Sequence, residues 1–398
     1  ALSVPSKNNF KQKLFPQIPS FNTSFQRENK MLAALSKSGL KERRSSFRLL
    51  IRCFSNPITN AASRPFGIAF DIDGVLLRGE KPVGGSPQAL QRLFHPSGKL
   101  AIPFIFLTNG GGVRESERAK ELSDCLDVNL LPSQIVQGHS PFRQLAPRYE
   151  NELVIAVGKG KPAEVMSEYG FKNAMSIDEY SSYFNGIDPL APHKLWKTNS
   201  YTKNATETIK SVRVKAAFIV SDSVDWSRDI QVLCDILTTG GFPGRETGNQ
   251  PDVFFANDDI AYQATFPTER LGMGAFRVAL ESVFNTISKN PLVYTSFGKP
   301  NRTVFKNAEA VLHEISTNCV GDGDSATRRF ETIYMVGDNP WVDIKGAKLA
   351  GKPWYSILTR TGVFKERGNH PQFPADKVVD SVEDAVQHIF ERESMLHC

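Results

Sequence analysis

The sequence predicts an α/β protein. Short apolar runs that stop abruptly at acidic or small polar residues read as buried strands, and helical stretches lie between them. Four of these run-ends carry residues able to do chemistry. Some 190 residues separate the second from the third, too many for one connection within a sheet, so a further α/β unit is expected between them.

The first run, Phe66–Phe70, ends in Asp71-Ile72-Asp73-Gly74. Two carboxylates one residue apart repel each other, and their burial is costly unless something positive sits between them. A divalent cation is the simplest remedy; Mg²⁺ takes oxygen ligands and binds through one or two carboxylates plus a substrate phosphate. Taken alone, the pair reads equally well as a turn or a helix cap. The second run, Phe104–Leu107, stops at Thr108-Asn109 and Gly110-Gly111-Gly112. A hydroxyl, a side-chain amide and the N–H groups of a Gly-rich turn can all donate to phosphoryl oxygens.

The third run, Leu292–Phe297, precedes Gly298-Lys299-Pro300, and a lysine there would neutralise an aspartate and a bound phosphate together. Gly160-Lys161-Pro162 repeats the tripeptide after Leu153–Val157. A lysine just upstream of the next acidic element belongs to the same half of the sheet, so the role goes to Lys299 and Lys161 is expected in solvent. The glycines around Lys159 and Lys161 do not form a P-loop, because no Gly-Lys-[Ser/Thr] follows at the required spacing. The fourth run, Thr332–Val336, ends in Gly337-Asp338-Asn339-Pro340, with Asp343 five positions further on. Asp338 is placed to ligate a metal; Asp343, near a helix start, is placed to position metal-bound water or the lysine, though an aspartate there is also an ordinary cap.

The ordered set resembles the haloacid dehalogenase (HAD) superfamily of aspartyl-phosphate phosphohydrolases, from about Pro65 to the end. The resemblance implies a Rossmann-like core with a parallel sheet. It implies Asp71 as nucleophile, Asp73 as general acid and base, Lys299 as stabiliser of the intermediate, and Thr108, Asn109 and Gly110 as phosphate ligands. The implied metal site is Asp71, Asp73 and Asp338 around Mg²⁺, with Asp343 and Asn339 behind it. An acid at Asp73 can protonate an alkoxide leaving group, as phosphate-ester cleavage requires. Dehalogenating members of the superfamily lack an acid there.

The long insertion resembles the C2-type α/β cap of NagD-like and pyridoxal-phosphate phosphatases. Leu153–Val157, 216–220 and 253–256 read as its strands, and Pro162–Glu168 and 230–237 as helices. Asn257-Asp258-Asp259 and Gly272-Met273-Gly274-Ala275 match the pattern with which such caps return to the core. The Thr-Asn-Gly-Gly-Gly and Gly-Asp-Asn-Pro motifs resemble most the mitochondrial "cat eye syndrome critical region protein 5" type of eukaryotic hydrolase. The expected division is a tail over 1–64, core over 65–149, cap over 150–291 and core again over 292–398. Caps of this subclass pair into homodimers, an implication of the resemblance alone. Trp196, Tyr201, Trp226 and Arg228 are either substrate contacts or parts of the cap's own packing.

Composition agrees with a two-domain globular chain: 398 residues, 40% hydrophobic and 23% charged. No apolar run approaches the roughly 18 residues of a membrane span. Five scattered cysteines make no CxxC, so neither zinc nor a disulfide framework is indicated. The +6 formal charge belongs to the tail, where twelve Lys/Arg face only Glu28 and Glu42; the rest is slightly acidic, so nucleic acid is not an expected partner. A Ser- and Arg-rich, acid-poor tail reads as an organelle transit segment. Arg52-Cys53-Phe54-Ser55 resembles a mitochondrial processing site cut at 54/55, and Met31 is a plausible start; the matrix is the expected compartment and a plastid the rival. Ser86-Pro87 read as cap and first residue of a helix over 88–94, 317–329 as an exposed loop rather than a Ca²⁺ site, and 382–393 as an amphipathic helix. The expected function is hydrolysis of a small phosphorylated substrate. A non-catalytic or narrowly specific binding protein on the same fold, linked to glycerophospholipid metabolism, is the alternative, and a phosphotransferase would need an acceptor site that no residue reveals.

Overall fold

The computed structural model describes residues 65–195, 206–319 and 329–395. The transit reading of 1–64, with Met31 and the 54/55 cut, falls outside them, as do Trp196, Tyr201 and most of the 317–329 loop.

Along the chain the strands are β1 (Phe66–Phe70), β2 (Phe104–Leu107), β3 (Ile135–Val136), β4 (Leu153–Val157), β5 (Asn173–Ser176) and β6 (Val214–Ile219). They continue as β7 (Asp252–Phe255), β8 (Thr295–Ser296), β9 (Thr332–Gly337), β10 (Trp354–Thr359) and β11 (Lys377–Val379). The first sheet has the order β11-β10-β9-β1-β2-β3, the second β8-β7-β6-β4-β5, and all these pairings are parallel.

β1 is the centre of the first sheet because it is apolar on both faces, the mark of a strand covered by helices on each side. Ile68 and Phe70 point to one face with Phe104, Phe106, Tyr334 and Val336, under the helices Glu115–Leu126 and Val382–Met395. Ala69 points to the other with Ile105, Leu107, Ile333 and Met335, under Phe305 and Leu312 of the helix Arg302–Cys319. The two-residue side-chain period of a strand sorts the residues in this way. Phe218 of β6 anchors the second sheet, ringed by Phe142, Tyr149, Phe171 and Phe254 at centroid separations of 4.9–5.8 Å.

Three boundaries differ from the sequence reading. The run Leu292–Phe297 yields only the two-residue β8, and it pairs with β7, so the second sheet extends past 291 and takes in Thr295–Ser296. Phe142, Ala146 and Tyr149 belong to the second sheet's core although they precede residue 150; aromatic side chains follow the apolar surface they can cover, not the change of segment. Ser86 is the first residue of its helix, Ser86–Gln91, and Gly85 with φ 71° is the cap; the Ser86 hydroxyl is drawn away to donate to the Leu76 carbonyl at 2.8 Å. Both sheets lie in one unit from Ser63 onward.

Phe218→Ala should cost about 3–5 kcal/mol, the usual penalty for emptying a buried aromatic site. Denaturant unfolding followed by circular dichroism checks it; a loss below about 1 kcal/mol would mean that the ring cluster is not the anchor.

Candidate active site

The run-ends identified in the sequence meet at the carboxyl edge of the first sheet, where open α/β sheets bind ligands. Asp71 follows β1, and its N–H donates to the Val336 carbonyl of β9 at 2.9 Å, so the two acidic run-ends lie side by side. Lys299 is fully buried between them. Its Nζ donates to Asp71 Oδ1 at 2.8 Å and to Asp343 Oδ1 at 2.7 Å. The Asn339 N–H donates to Asp343 Oδ2, and the Val363 N–H donates to Asp338 Oδ2 at 2.6 Å. Asp71 Oδ2 and Asp338 Oδ1 stay outside these bonds.

Asp71, Asp338 and Asp343 are all buried, each offering an oxygen within 4.8 Å of the others. Three carboxylates thus face one ammonium group. Burial pushes Asp71 up to about 7 against the pull of Lys299, and lifts Asp338 well above its ordinary value, with Asp71 and Asp343 adding repulsion. Buried carboxylates in excess of cations fit a hard divalent ion held by oxygen alone. Close backbone packing aims them. A β-carbon on Gly362 or Gly74 would collide with the Asp338 carboxyl group, and one on Gly337 with Asp343.

Asp73 is not part of that group. Its Oδ2 lies beside the turn after β2, 3.4 Å from where a Gly110 β-carbon would stand. β1 ends at Phe70, and Asp73 lies beyond it in a turn bridged to Leu77, so its side chain does not follow the strand's two-residue period to the side of Asp71. Burial raises its pKa, opposed by Arg118, Lys159 and Lys299. Asp343, expected behind the metal, instead takes the third place among the grouped carboxylates, though both its oxygens are already bonded.

The expected phosphate ligands also divide. Thr108 Oγ1 accepts the Gly110 N–H at 3.0 Å, which occupies that N–H and leaves the hydroxyl proton free to donate elsewhere. The Asn109 amide is spent on the scaffold: Nδ2 donates to both Asp259 oxygens and to the Lys299 carbonyl, each at 3.0 Å, and Oδ1 accepts the Lys299 N–H at 2.7 Å. Neither the Asn109 amide nor the Gly110 N–H is therefore available as the sequence reading expected.

A cleft of ≈ 640 Å³, open solvent included, joins Asp71, Asp73, Thr108 and Lys299 to Lys159, Asp222, Tyr262 and Met273 of the inserted unit. Lys159 Nζ donates to Asp222 Oδ2 at 2.9 Å and stands 5.6 Å from the Tyr262 ring centroid. Gln263 Oε1 accepts from Lys365 Nζ at 3.2 Å, so the hairpin formed by Ala261–Tyr262 and Arg270–Leu271 reaches back to the first sheet's loops. The sequence reading gives Lys159 no role; its place directly beyond β4, at the carboxyl edge, is the available signal. Lys161 is half-exposed, as expected, and pairs with Glu117. Trp226 packs edge-on against Phe276, and buried Arg228 pairs with Asp229 and Asp178, so both belong to the second sheet's own packing.

Behind Gly111 lies a buried cluster with no sequence signature. The Tyr169 hydroxyl donates to Glu115 Oε1, so its oxygen accepts from His139 Nδ1 at 2.8 Å. A β-carbon on Gly111 would come within 3.0 Å of His139 Nε2. Burial lowers the His139 pKa to about 4, Glu115 notwithstanding.

Two family models match, one described as haloacid dehalogenase-like hydrolase over residues 68–172 and one as HAD-hydrolase-like over 296–385. A mitochondrial hydrolase of Saccharomyces cerevisiae is 31% identical over 83% of this chain and 97% of its own length. A Schizosaccharomyces pombe fusion of a CMP-forming cardiolipin synthase with a mitochondrial hydrolase is 35% identical over 80% of this chain, which spans only 52% of the fusion. The solved structure of a p-nitrophenyl phosphatase from Archaeoglobus fulgidus superposes with a TM-score of 0.51 at 17% identity, covering 82% of this chain and 99% of that one; the likeness is one of fold. The chain belongs to the haloacid dehalogenase-like hydrolases.

Gly362→Ala should push the Asp338 carboxyl out of place and lower hydrolysis by about 10²-fold, the effect expected of an ångström-scale misplacement, while leaving circular dichroism unchanged. Stability should fall as pH drops from about 6.5 toward about 4, because unfolded His139 accepts a proton that the folded site refuses. Urea midpoints at pH 7.5 and 5 should separate less in His139→Gln than in the wild type.

Proposed function

We propose that this hydrolase is a Mg²⁺-dependent phosphomonoester phosphatase that works through an aspartyl-phosphate intermediate in mitochondria. The observation that carries the reading is the burial of three carboxylates around the single Lys299 ammonium group. Asp71 and Asp338, with Asp343 as the third carboxylate of the group, would hold Mg²⁺, which when bound neutralises phosphoryl oxygens and the excess of carboxylate charge.

Lys299 keeps Asp71 oriented through Oδ1, so Oδ2 is the oxygen that attacks phosphorus. Asp73, across the cleft and raised in pKa by burial, gives its proton to the departing alkoxide and then takes one from the water that hydrolyses the acyl phosphate. Thr108 donates its hydroxyl proton to a phosphoryl oxygen, and Lys299 offsets charge as it accumulates. Charge stabilisation and positioning carry most of the acceleration of phosphoryl transfer. The alcohol side of the cleft, walled by the Lys159–Asp222 ion pair and Tyr262, suits a short polar leaving group, hence a small phosphorylated metabolite.

The mitochondrial reading draws on the two mitochondrial relatives and the basic, acid-poor composition of residues 1–64. A second reading has one observation in its favour. The fusion of a relative to a cardiolipin synthase suits a phosphorylated glycerol derivative of glycerophospholipid metabolism as substrate.

Purified protein should release phosphate from members of a phosphomonoester panel that includes glycerophosphates. Release should stop on chelation of the metal, and Asp71→Asn should abolish turnover in a protein that still folds and still binds Mg²⁺. Turnover retained by Asp71→Asn would remove Asp71 as nucleophile. Silence of the wild type across the panel would favour a narrowly specific or non-catalytic binding protein.

A further inference from the structure

The loop that leaves β7, Ala256 to Asp259, belongs to the second sheet yet grips the first sheet's reactive turn. Its Asn257 Nδ2 donates to the Asn109 carbonyl at 2.8 Å. Asn257 Oδ1 accepts the Asp259 N–H at 3.1 Å, an Asx turn that presents the Asp259 carboxylate to Asn109. Both Asp259 oxygens then accept from Asn109 Nδ2, which donates to the Lys299 carbonyl as well, while Oδ1 at the other end of the amide accepts the Lys299 N–H. Gly298, at φ 72°, lets this happen: a β-carbon there would stand 2.7 Å from Asn109 Oδ1 and 2.8 Å from the Ala256 carbonyl. One amide therefore joins the Thr108 turn, the Lys299 backbone and the inserted unit.

We propose that Asp259 is a positioning residue: a group of the inserted unit that, through Asn109, holds the Thr108 turn and Lys299 in register with Asp71. A buried amide N–H₂ has two protons to place, and the carbonyl of Lys299 satisfies one direction only. Without an acceptor at 259 the amide has a buried donor unpaired, and it rotates or drifts to find another. The Lys299 ammonium group, already committed to two carboxylates, then loses the backbone register that aims it. The Asn257–Asp259 loop thus ties the placement of the inserted unit to the geometry of the reacting groups.

The role rests on the phosphatase reading for its kinetic consequence but not for its structural one, so two readouts separate them. In the full chain, Asp259→Ala should raise hydrogen exchange of the peptides spanning 104–112 and 296–301 while leaving 382–395 unchanged. Its kcat on p-nitrophenyl phosphate should fall by about 10–100-fold with a smaller change in KM. Asp259→Asn keeps an acceptor oxygen for Asn109 and should restore both readouts most of the way. Unchanged exchange in Asp259→Ala overturns the proposal, as does loss of kcat in both variants with exchange intact, which would make the charge and not the acceptor the active element. Altered exchange in a wild-type background that hydrolyses no phosphomonoester would sustain the positioning role and remove the phosphatase reading. If Asp259→Ala does not fold, Asp259→Ser, whose hydroxyl is too short to reach Asn109, gives the same comparison.

Discussion

One buried ammonium group holds the reactive edge of this molecule together. Lys299 Nζ bonds Asp71 on one side and Asp343 on the other, and nearly everything else at the site is arranged around that bridge. An amine with no solvent exposure is costly to keep charged, and only the two carboxylates make it tolerable. The dependence runs both ways. Burial pushes Asp71 toward its neutral form, and Lys299 is what opposes that. The third carboxylate, Asp338, makes no ion pair among the described residues. It bonds a backbone N–H and lies against two glycines, an arrangement that leaves its charge for something outside the polypeptide.

Much of this was legible in the chain. The four run-ends could be read because each combines a hydrophobic strand with residues that are costly to bury, and a parallel sheet brings such ends to one edge whatever the sequence distance between them. The apolar patterns of β1, β2, β4 and β9 identified their strands closely. The choice of Lys299 over Lys161 followed from chain order; Lys299 pairs with Asp71, and Lys161 with Glu117.

What escaped reading was pairwise. Asn109 looked like a phosphate donor because an amide after a strand can be one; its true partners are Asp259 and Lys299, far away in sequence, and no local pattern encodes that geometry. The same holds for Ser86, whose hydroxyl prefers the Leu76 carbonyl to its own helix, and for the His139–Tyr169–Glu115 cluster, which has no spacing at all. β8 was placed with the wrong sheet because two residues of strand carry no mark of which edge they join. Trp226 and Arg228 illustrate the converse, since residue types suited to recognition are here consumed by packing.

The topology of the first sheet has a consequence for biogenesis. β1 lies hydrogen-bonded between β2 and β9, yet the whole of the second sheet is threaded between those two neighbours in the chain. A nascent chain that has exposed Asp71 and Asp73 has neither Lys299 nor Asp338, and β1 waits with one apolar edge open until residues beyond 332 are made. Such long-range pairing is slow and exposes aggregation-prone surface. The inserted unit, closed on its own aromatic core, can fold during that interval, so the emerging polypeptide carries a finished second sheet and an inert, unfinished first one. Hydrolytic competence arrives in a single late step, when the segment from β9 onward closes the sheet.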